Sequence, residues 1–311
     1  MVRLLWIISD NARLCLVLGL GAGLALPSLA AALQPWLPEM VAALLTITAL
    51  RIGHRAVRGA VRDLRWGLGS VAVLQFALPL CIYGVCHIAG VSDTPAALAA
   101  VLATAAPSIS GSTNLALLLG QDPGRMMQIL VLGTAAFPLT VLPLLLLMPQ
   151  MGDPAQVFQA SLWVLIVIGT ATAVGFALRT WVFPNPAQDQ IKALDGLSVL
   201  AFSAVVVGLM AALNPALRGD PISVLGWAAL AFIISYGLQT ITYLFMRNGN
   251  LAHVAGPLAI GAGNRNIALF LVALPSDVIA PLMVFVGCWQ LPMYLTPVLL
   301  RGLYKPETNH D

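Results

Sequence analysis

Charged residues are so sparse in this chain that nine stretches run without Asp, Glu, Lys or Arg: 14–38, 66–92, 94–121, 126–152, 154–178, 196–217, 221–246, 248–264 and 278–300. Most reach the roughly 20 residues that a helix needs to cross a hydrocarbon core. Hydrophobic residues are 59% of the 311 and charged residues 9%, and the mean hydropathy is +0.92. No soluble domain of this size needs such a balance, so the bilayer is the solvent. The long Leu/Ala/Val runs do not alternate, which excludes a closed β-barrel. The expectation is an all-α membrane protein of ten transmembrane helices. They fall near 13–32, 34–52, 67–88, 93–120, 123–148, 155–180, 191–213, 221–246, 250–274 and 277–301.

Charge also sets an expected topology. With the amino terminus inside, 13 of the 15 basic residues face the cytoplasm: Arg3, Arg13, Arg51, Arg55, Arg58, Arg62, Arg65, Arg125, Arg179, Lys192, Arg247, Arg301 and Lys305. Arg218 falls outside and Arg265 within the membrane. Both termini are then cytoplasmic, in a bacterial-type inner membrane. The net charge of +3 reflects those arginines, which suit anionic headgroups and call for no nucleic-acid partner. A rival reading takes the first 31 residues as a signal peptide ending near Ser28-Leu29-Ala30. Their apolar run exceeds the usual ~7–15 residues, and removal would break the symmetry described next.

One phrase is written twice. Gly111-Ser112-Thr113-Asn114-Leu115-Ala116-Leu117-Leu118-Leu119 returns 152 residues later as Gly263-Asn264-Arg265-Asn266-Ile267-Ala268-Leu269-Phe270-Leu271. The copies fall in the fourth and ninth helices, each fourth in a run of five. Five is odd, so the second half enters the membrane from the opposite side, as an inverted repeat of about 1–150 and 151–305 within one domain, 1–311. Each copy is a polar break. In the first, Pro107 removes a donor, Gly111 loosens the chain, and Ser108, Ser110, Ser112, Thr113 and Asn114 crowd together. The second runs from Gly256-Pro257 through Gly261, Gly263 and Asn264 to Asn266. Breaking a helix in lipid frees backbone groups, which is tolerable only where a cavity, ion or substrate answers them. Helix packing alone accounts for the small residues, but not for two mid-membrane asparagines at matched positions.

These residues resemble the bile acid–sodium symporter family over nearly the whole chain. The resemblance implies that helices four and nine are discontinuous and cross. It implies a core of helices three to five and eight to ten beside a panel of one, two, six and seven, with alternating access between them. Gln75, in Leu74-Gln75-Phe76-Ala77-Leu78-Pro79, is similar to the family's helix-three sodium ligand. Asn114 is similar to its helix-four asparagine, and Asn266 to its helix-nine asparagine beside the substrate cavity. Gly263-Asn264-Arg265-Asn266 resembles its Gly-Met-Gln-Asn phrase. The departures are as telling. The family's helix-nine glutamate would fall at about Gly261, its glutamine is Arg265, and its helix-five hydroxyls are not reproduced, Thr134 and Thr140 lying out of register with Pro138.

No acidic residue is deep enough in sequence to pair with Arg265, and a mid-membrane arginine needs compensation. Three accounts stand: it binds an anionic substrate; it replaces sodium, held by carbonyls freed in the helix-four break; or it snorkels or meets an acid brought near by the fold. The candidate substrate ligands are Arg265, Asn266, Asn114, Ser112 and Thr113. The candidate ion ligands are Gln75, Asn114, Ser110 and Asn264. Sodium is the one cofactor in view; Cys15, Cys81, Cys86 and Cys288 and the four histidines show no metal spacing. The expected function is secondary transport of a small organic anion. Alternatives are a membrane sensor with a transporter-like core and an efflux carrier of a related ten-helix fold. An enzyme is not expected, because no nucleophile sits with a base or paired acid.

Overall fold

Proline starts the helices of this chain. Pro27, Pro95, Pro123, Pro154 and Pro221 each occupy the first helical position, where a missing N–H costs nothing and the fixed φ suits the helix. Side chains just before them cap the exposed amides. Thr94 Oγ1 accepts from Ala97 N at 3.2 Å, Asp122 Oδ1 from Gly124 N at 2.7 Å, and Asp220 Oδ1 from Ser223 N at 3.0 Å. The computed structural model describes residues 2–61, 63–148 and 154–304. Arg62, Lys305 and His310 lie outside the described residues, as do the side chains of Arg55 and Arg58. The described residues are overwhelmingly helical, with no strand among them.

Among the described residues, seven helices are long and apolar enough to cross a membrane: Pro27–Gly53, Leu64–Ile88, Pro123–Leu147, Val157–Trp181, Gln188–Gly219, Pro221–Met246 and Ala280–Leu299. They fall on the second, third, fifth, sixth, seventh, eighth and tenth expected segments. Their outward faces are apolar: Ile222, Leu225, Ile233, Ile241 and Phe245 are exposed along Pro221–Met246. Such a face is at home only in lipid, and the chain is an all-helical membrane protein. The other three segments differ. The first is not one helix over 13–32: Ala12–Ala25 ends where Leu26 turns out of the helical region, and 27–32 belongs to the next helix. The pyrrolidine of Pro27 drives its predecessor away from the α region. Val2–Asp10 precedes it, bent by 91°. The fourth and ninth segments are short helices joined by breaks, Pro95–Ala105 with Ser112–Leu118, and Ala255–Gly263 with Phe270–Ala273.

The chain forms two compact units, each assembled from separated segments. The first comprises Met1–Gly59, Leu145–Ala228 and Ile267–Gln290, and the second Ala60–Leu144, Ala229–Asn266 and Leu291–Asp311. Neither unit is a sequence half. The first holds expected segments one, two, six and seven with the end of nine and the first part of ten, and the second holds three, four and five with most of eight, the first part of nine and the rest of ten.

In the first unit, Val2–Asp10 and Ala12–Ala25 pack on Gln188–Leu209. A Cβ on Gly196 would overlap the Leu5 carbonyl, so the backbones touch there. Around this contact Trp6 Nε1 donates to the Asp189 carbonyl at 2.9 Å and Lys192 Nζ meets Asp10 Oδ2 at 2.7 Å. Arg51 pairs with Asp195. In the second unit, Arg125 Nη1 reaches Asp63 Oδ2 at 2.8 Å and its guanidinium lies 4.5 Å from the Trp66 ring centre. That guanidinium holds the Asp63 carboxyl below its ordinary range. The pair is therefore intact through that range and is released only as pH falls below it, through the lowered value. The apolar centre of this unit joins Leu74, Ala116, Met126, Ile129, Leu258 and Ile260.

Gly196→Leu drives a side chain into the Leu5 backbone and is expected to undock Val2–Asp10. Limited proteolysis of the purified protein should then cut within the first 11 residues at least tenfold faster than in wild type, with the remaining fragment resistant. Overpacking of about 1–3 kcal/mol is enough to give that change.

Candidate functional site

The two breaks meet inside the second unit and complete each other's backbone. Ile109 N donates to the Asn264 carbonyl at 3.1 Å, and Asn266 N to the Pro107 carbonyl at 2.7 Å. Ser108 and Arg265 are thereby paired as an isolated antiparallel bridge. It is the pair flanked by hydrogen bonds rather than joined by them, the arrangement that brings facing residues closest. Ser108 Oγ also points to the Gly261 carbonyl at 3.5 Å. Helices Pro95–Ala105 and Ala255–Gly263 lead into this crossing, and both are buried over nearly all their length.

Arg265 is 1% exposed. Its Nε donates to the Ala262 carbonyl at 2.9 Å, Nη1 to the Ala106 carbonyl at 3.0 Å and Nη2 to the Leu74 carbonyl at 2.8 Å. Each acceptor is a carbonyl that its own segment leaves unanswered. Ala106 ends the Pro95–Ala105 helix, where Pro107 pushes it to φ −59°, ψ 148°. Ala262 lies at the end of Ala255–Gly263. The third has a subtler origin. Leu64–Ile88 widens over Val73–Ala77, where Leu78 N bonds back to the Val73 carbonyl. One step on, the amide that would serve Leu74 belongs to Pro79, which has none. The guanidinium thus sits at the carboxyl ends of two helices, where their dipoles favour a cation.

The other candidates are placed as follows. Asn264 is fully buried, but its amide turns to structural partners: Nδ2 donates to the Ile260 carbonyl at 3.1 Å, and Oδ1 lies 3.3 Å from Thr296 Oγ1. Gln75 is buried and gives Nε2 to the Gly133 carbonyl at 3.1 Å. Asn266 is buried and joins the crossing through its backbone. Ser110 is half-buried in the first break. Ser112 is buried, and its hydroxyl has no hydrogen-bond partner among the described residues. Thr113 Oγ1 faces Met127 Sδ at 4.0 Å. Asn114 is exposed, and its side chain makes no hydrogen bond among the described residues. So Arg265, Asn264 and Asn266 are brought together with Ser108, while Gln75 is joined to them only through the carbonyl of its neighbour Leu74. At Gly261 a Cβ would lie 3.4 Å from Ser108 Oγ and 3.5 Å from Leu74 Cδ1, beside the residues of the crossing.

The matched glycines are not equivalent. A Cβ at Gly263 would strike the Ser235 carbonyl and the Gln239 side chain, whereas at Gly111 the nearest atom is Ile109 Cδ1 at 4.0 Å. Gly111 also has ordinary right-handed helical angles, so the expected loosening there is not used. Ala106 opens the helix-four break, whose freed carbonyls were one expected partner of Arg265, whereas Leu74 and Ala262 were not singled out from the sequence as acceptors. Pro79, five residues after Leu74, and Pro107, next after Ala106, are the signals that mark two of the three carbonyls.

No family model matches the chain, and no curated protein matches it.

Gly263→Ala is expected to destabilise the protein by about 1–3 kcal/mol through overpacking, seen as a lowered thermal midpoint in detergent. Gly111→Ala should stay within about 0.5 kcal/mol of wild type. Equal effects at the two positions would contradict the packing described.

Proposed function

We propose that this chain is a secondary transporter that moves a small organic anion by alternating access, and that Arg265 is a built-in cation at the place where the resembled symporters bind sodium. The observation that carries this reading is the guanidinium buried against the Leu74, Ala106 and Ala262 carbonyls. Oxygens converging from separate segments are the kind of ligand a hard metal cation takes. Here a side chain supplies the charge, and Gly261 stands where the family's glutamate would require a mobile one.

The wider architecture is part of the proposal: ten spans in an inverted five-plus-five repeat, both termini cytoplasmic, in a bacterial-type inner membrane. The composition of the first unit supports it in part, since segments one, two, six and seven group together as a panel would, while nine and ten are divided between the units. The second break is buried, the first is buried at Pro107–Ile109, and the two are paired there, as the central site of a repeat-built carrier demands. With its charge held by carbonyls, Arg265 presents positive potential to an anion without leaving its place. Ser112, Thr113 and Asn114 of the first break and Asn266 of the second are the polar side chains assigned to orient the anion.

The reading predicts sodium-independent behaviour in the wild type and a gained sodium response when the built-in cation is removed. Arg265→Gln should abolish uptake of organic anions into proteoliposomes while the protein still purifies as a folded, less stable species. Its thermal midpoint should rise with sodium chloride but not with choline chloride, because the vacated carbonyls can hold the metal. Wild-type protein should show no such difference. A steep sodium requirement in the wild type, lost in Gln75→Ala, would defeat the proposal, and so would normal uptake by Arg265→Gln.

A further inference from the structure

A second set of buried polar groups lies behind the crossing, within the same unit. Tyr304 OH donates to Gln239 Oε1 at 2.9 Å. Gln239 Nε2 lies 3.3 Å from Ser235 Oγ and 3.4 Å from Thr296 Oγ1. Ser235 Oγ donates to the Gly263 carbonyl at 2.9 Å, and Thr296 Oγ1 approaches Asn264 Oδ1 at 3.3 Å. Tyr304 is 1% exposed, and Gln239, Ser235, Thr296 and Asn264 are fully buried. One path runs from the tyrosine hydroxyl through Gln239 and Ser235 to the Gly263 carbonyl of the break, while the Thr296 hydroxyl has its closer acceptor in the Pro292 carbonyl at 2.8 Å.

Both ends of this chain are anchored. At the near end, Gly263 and Asn264 sit between Ala262, whose carbonyl takes Arg265 Nε, and the Asn264 carbonyl, which takes Ile109 N. Turning the Gly263 peptide turns the acceptors on either side. At the far end, the Tyr304 ring meets Tyr243 edge-on at 5.1 Å between centres. Its carbonyl accepts from Gln121 Nε2 at 3.1 Å. Gln121 follows the first broken segment and lies against Gly256, at the start of the helix leading into the second. Neither Asn264 nor Gly263 could hold this orientation alone, since a buried polar group without a partner favours any rearrangement that finds one.

We infer that Tyr304 is a positioning residue for the crossing: its hydroxyl, acting through Gln239 and Ser235, fixes the Gly263–Asn264 backbone that holds Arg265 and the two rungs. The segment after the last helix is thereby coupled to the site. The inference goes beyond the transport reading and does not depend on it, because its readout needs no substrate.

The test is amide hydrogen exchange on the full chain in phospholipid nanodiscs. Tyr304→Phe keeps the ring, its contact with Tyr243 and the carbonyl bond to Gln121, and removes only the donor. It should speed exchange about tenfold in peptides containing Ile109 and Asn266, the scale of losing one buried hydrogen bond, and leave first-unit peptides unchanged. Ser235→Ala, at the other end of the chain of bonds, should give the same local pattern. The double variant should show little more than either alone, since the two residues act through one path. Unchanged exchange at Ile109 and Asn266, acceleration spread evenly over the protein, or additive effects in the double variant would each overturn the inference.

Discussion

A buried guanidinium answered by three backbone carbonyls is the interaction on which the second unit depends. An arginine in a hydrocarbon environment costs about 2.5–3.5 kcal/mol even by insertion scales. An unanswered carbonyl there is comparably unfavourable. Neither defect is tolerable singly, yet each is the other's remedy. Leu74, Ala106 and Ala262 are left without amide partners by Pro79, Pro107 and a helix end, and Arg265 supplies donors to all three. Hydrogen bonds to a charged group are the stronger kind. The breaks are thus part of a joint in which irregular backbone and buried charge are mutually required.

The same reasoning explains why the breaks must lie together. Two interrupted helices placed apart would each expose orphan amides and carbonyls. Placed in register, Ile109 and Asn266 donate across to Asn264 and Pro107, and a short antiparallel bridge replaces what the helices gave up. Asn264 shows how far the requirement reaches. Its side chain is committed to Ile260 and Thr296, so its polarity serves the geometry of the peptide rather than a ligand in this conformation.

Much of this was legible in the sequence, and the reasons for the rest are physical. Membrane-crossing helices announce themselves through apolar length, and seven expected segments correspond to helices long enough to span. Both breaks were visible because proline, glycine and asparagine are conspicuous amid Leu and Ala. The end of the first helix at Ala25 was not read, although Pro27 was there to signal it; composition alone ran the apolar stretch onward. Carbonyls of the first break were among the expected partners of Arg265, but Leu74 and Ala262 escaped for another reason. A carbonyl belongs to every residue, and Leu74 gains its role only because a widened turn and Pro79 conspire to free it. The network behind Asn264 joins 235 and 239, one turn apart on a helix, to 296 and 304, whose proximity to them no local pattern encodes. The grouping of segments into two interleaved units likewise follows contacts and not the order of the repeat.

The rungs of the crossing are made wholly of main chain, and this has a consequence for how the joint can vary. Ile109, Pro107, Asn264 and Asn266 contribute amide hydrogens or carbonyl oxygens, which any ordinary residue also carries. Side-chain exchange at Ile109 can therefore proceed without loosening either rung, so long as the volume fits. What the joint cannot absorb is an imino acid at 109 or 266, where the ring would replace the one hydrogen that matters. Its tolerance is thus written in backbone chemistry: permissive toward most of the amino-acid alphabet, and closed to a single letter at two places.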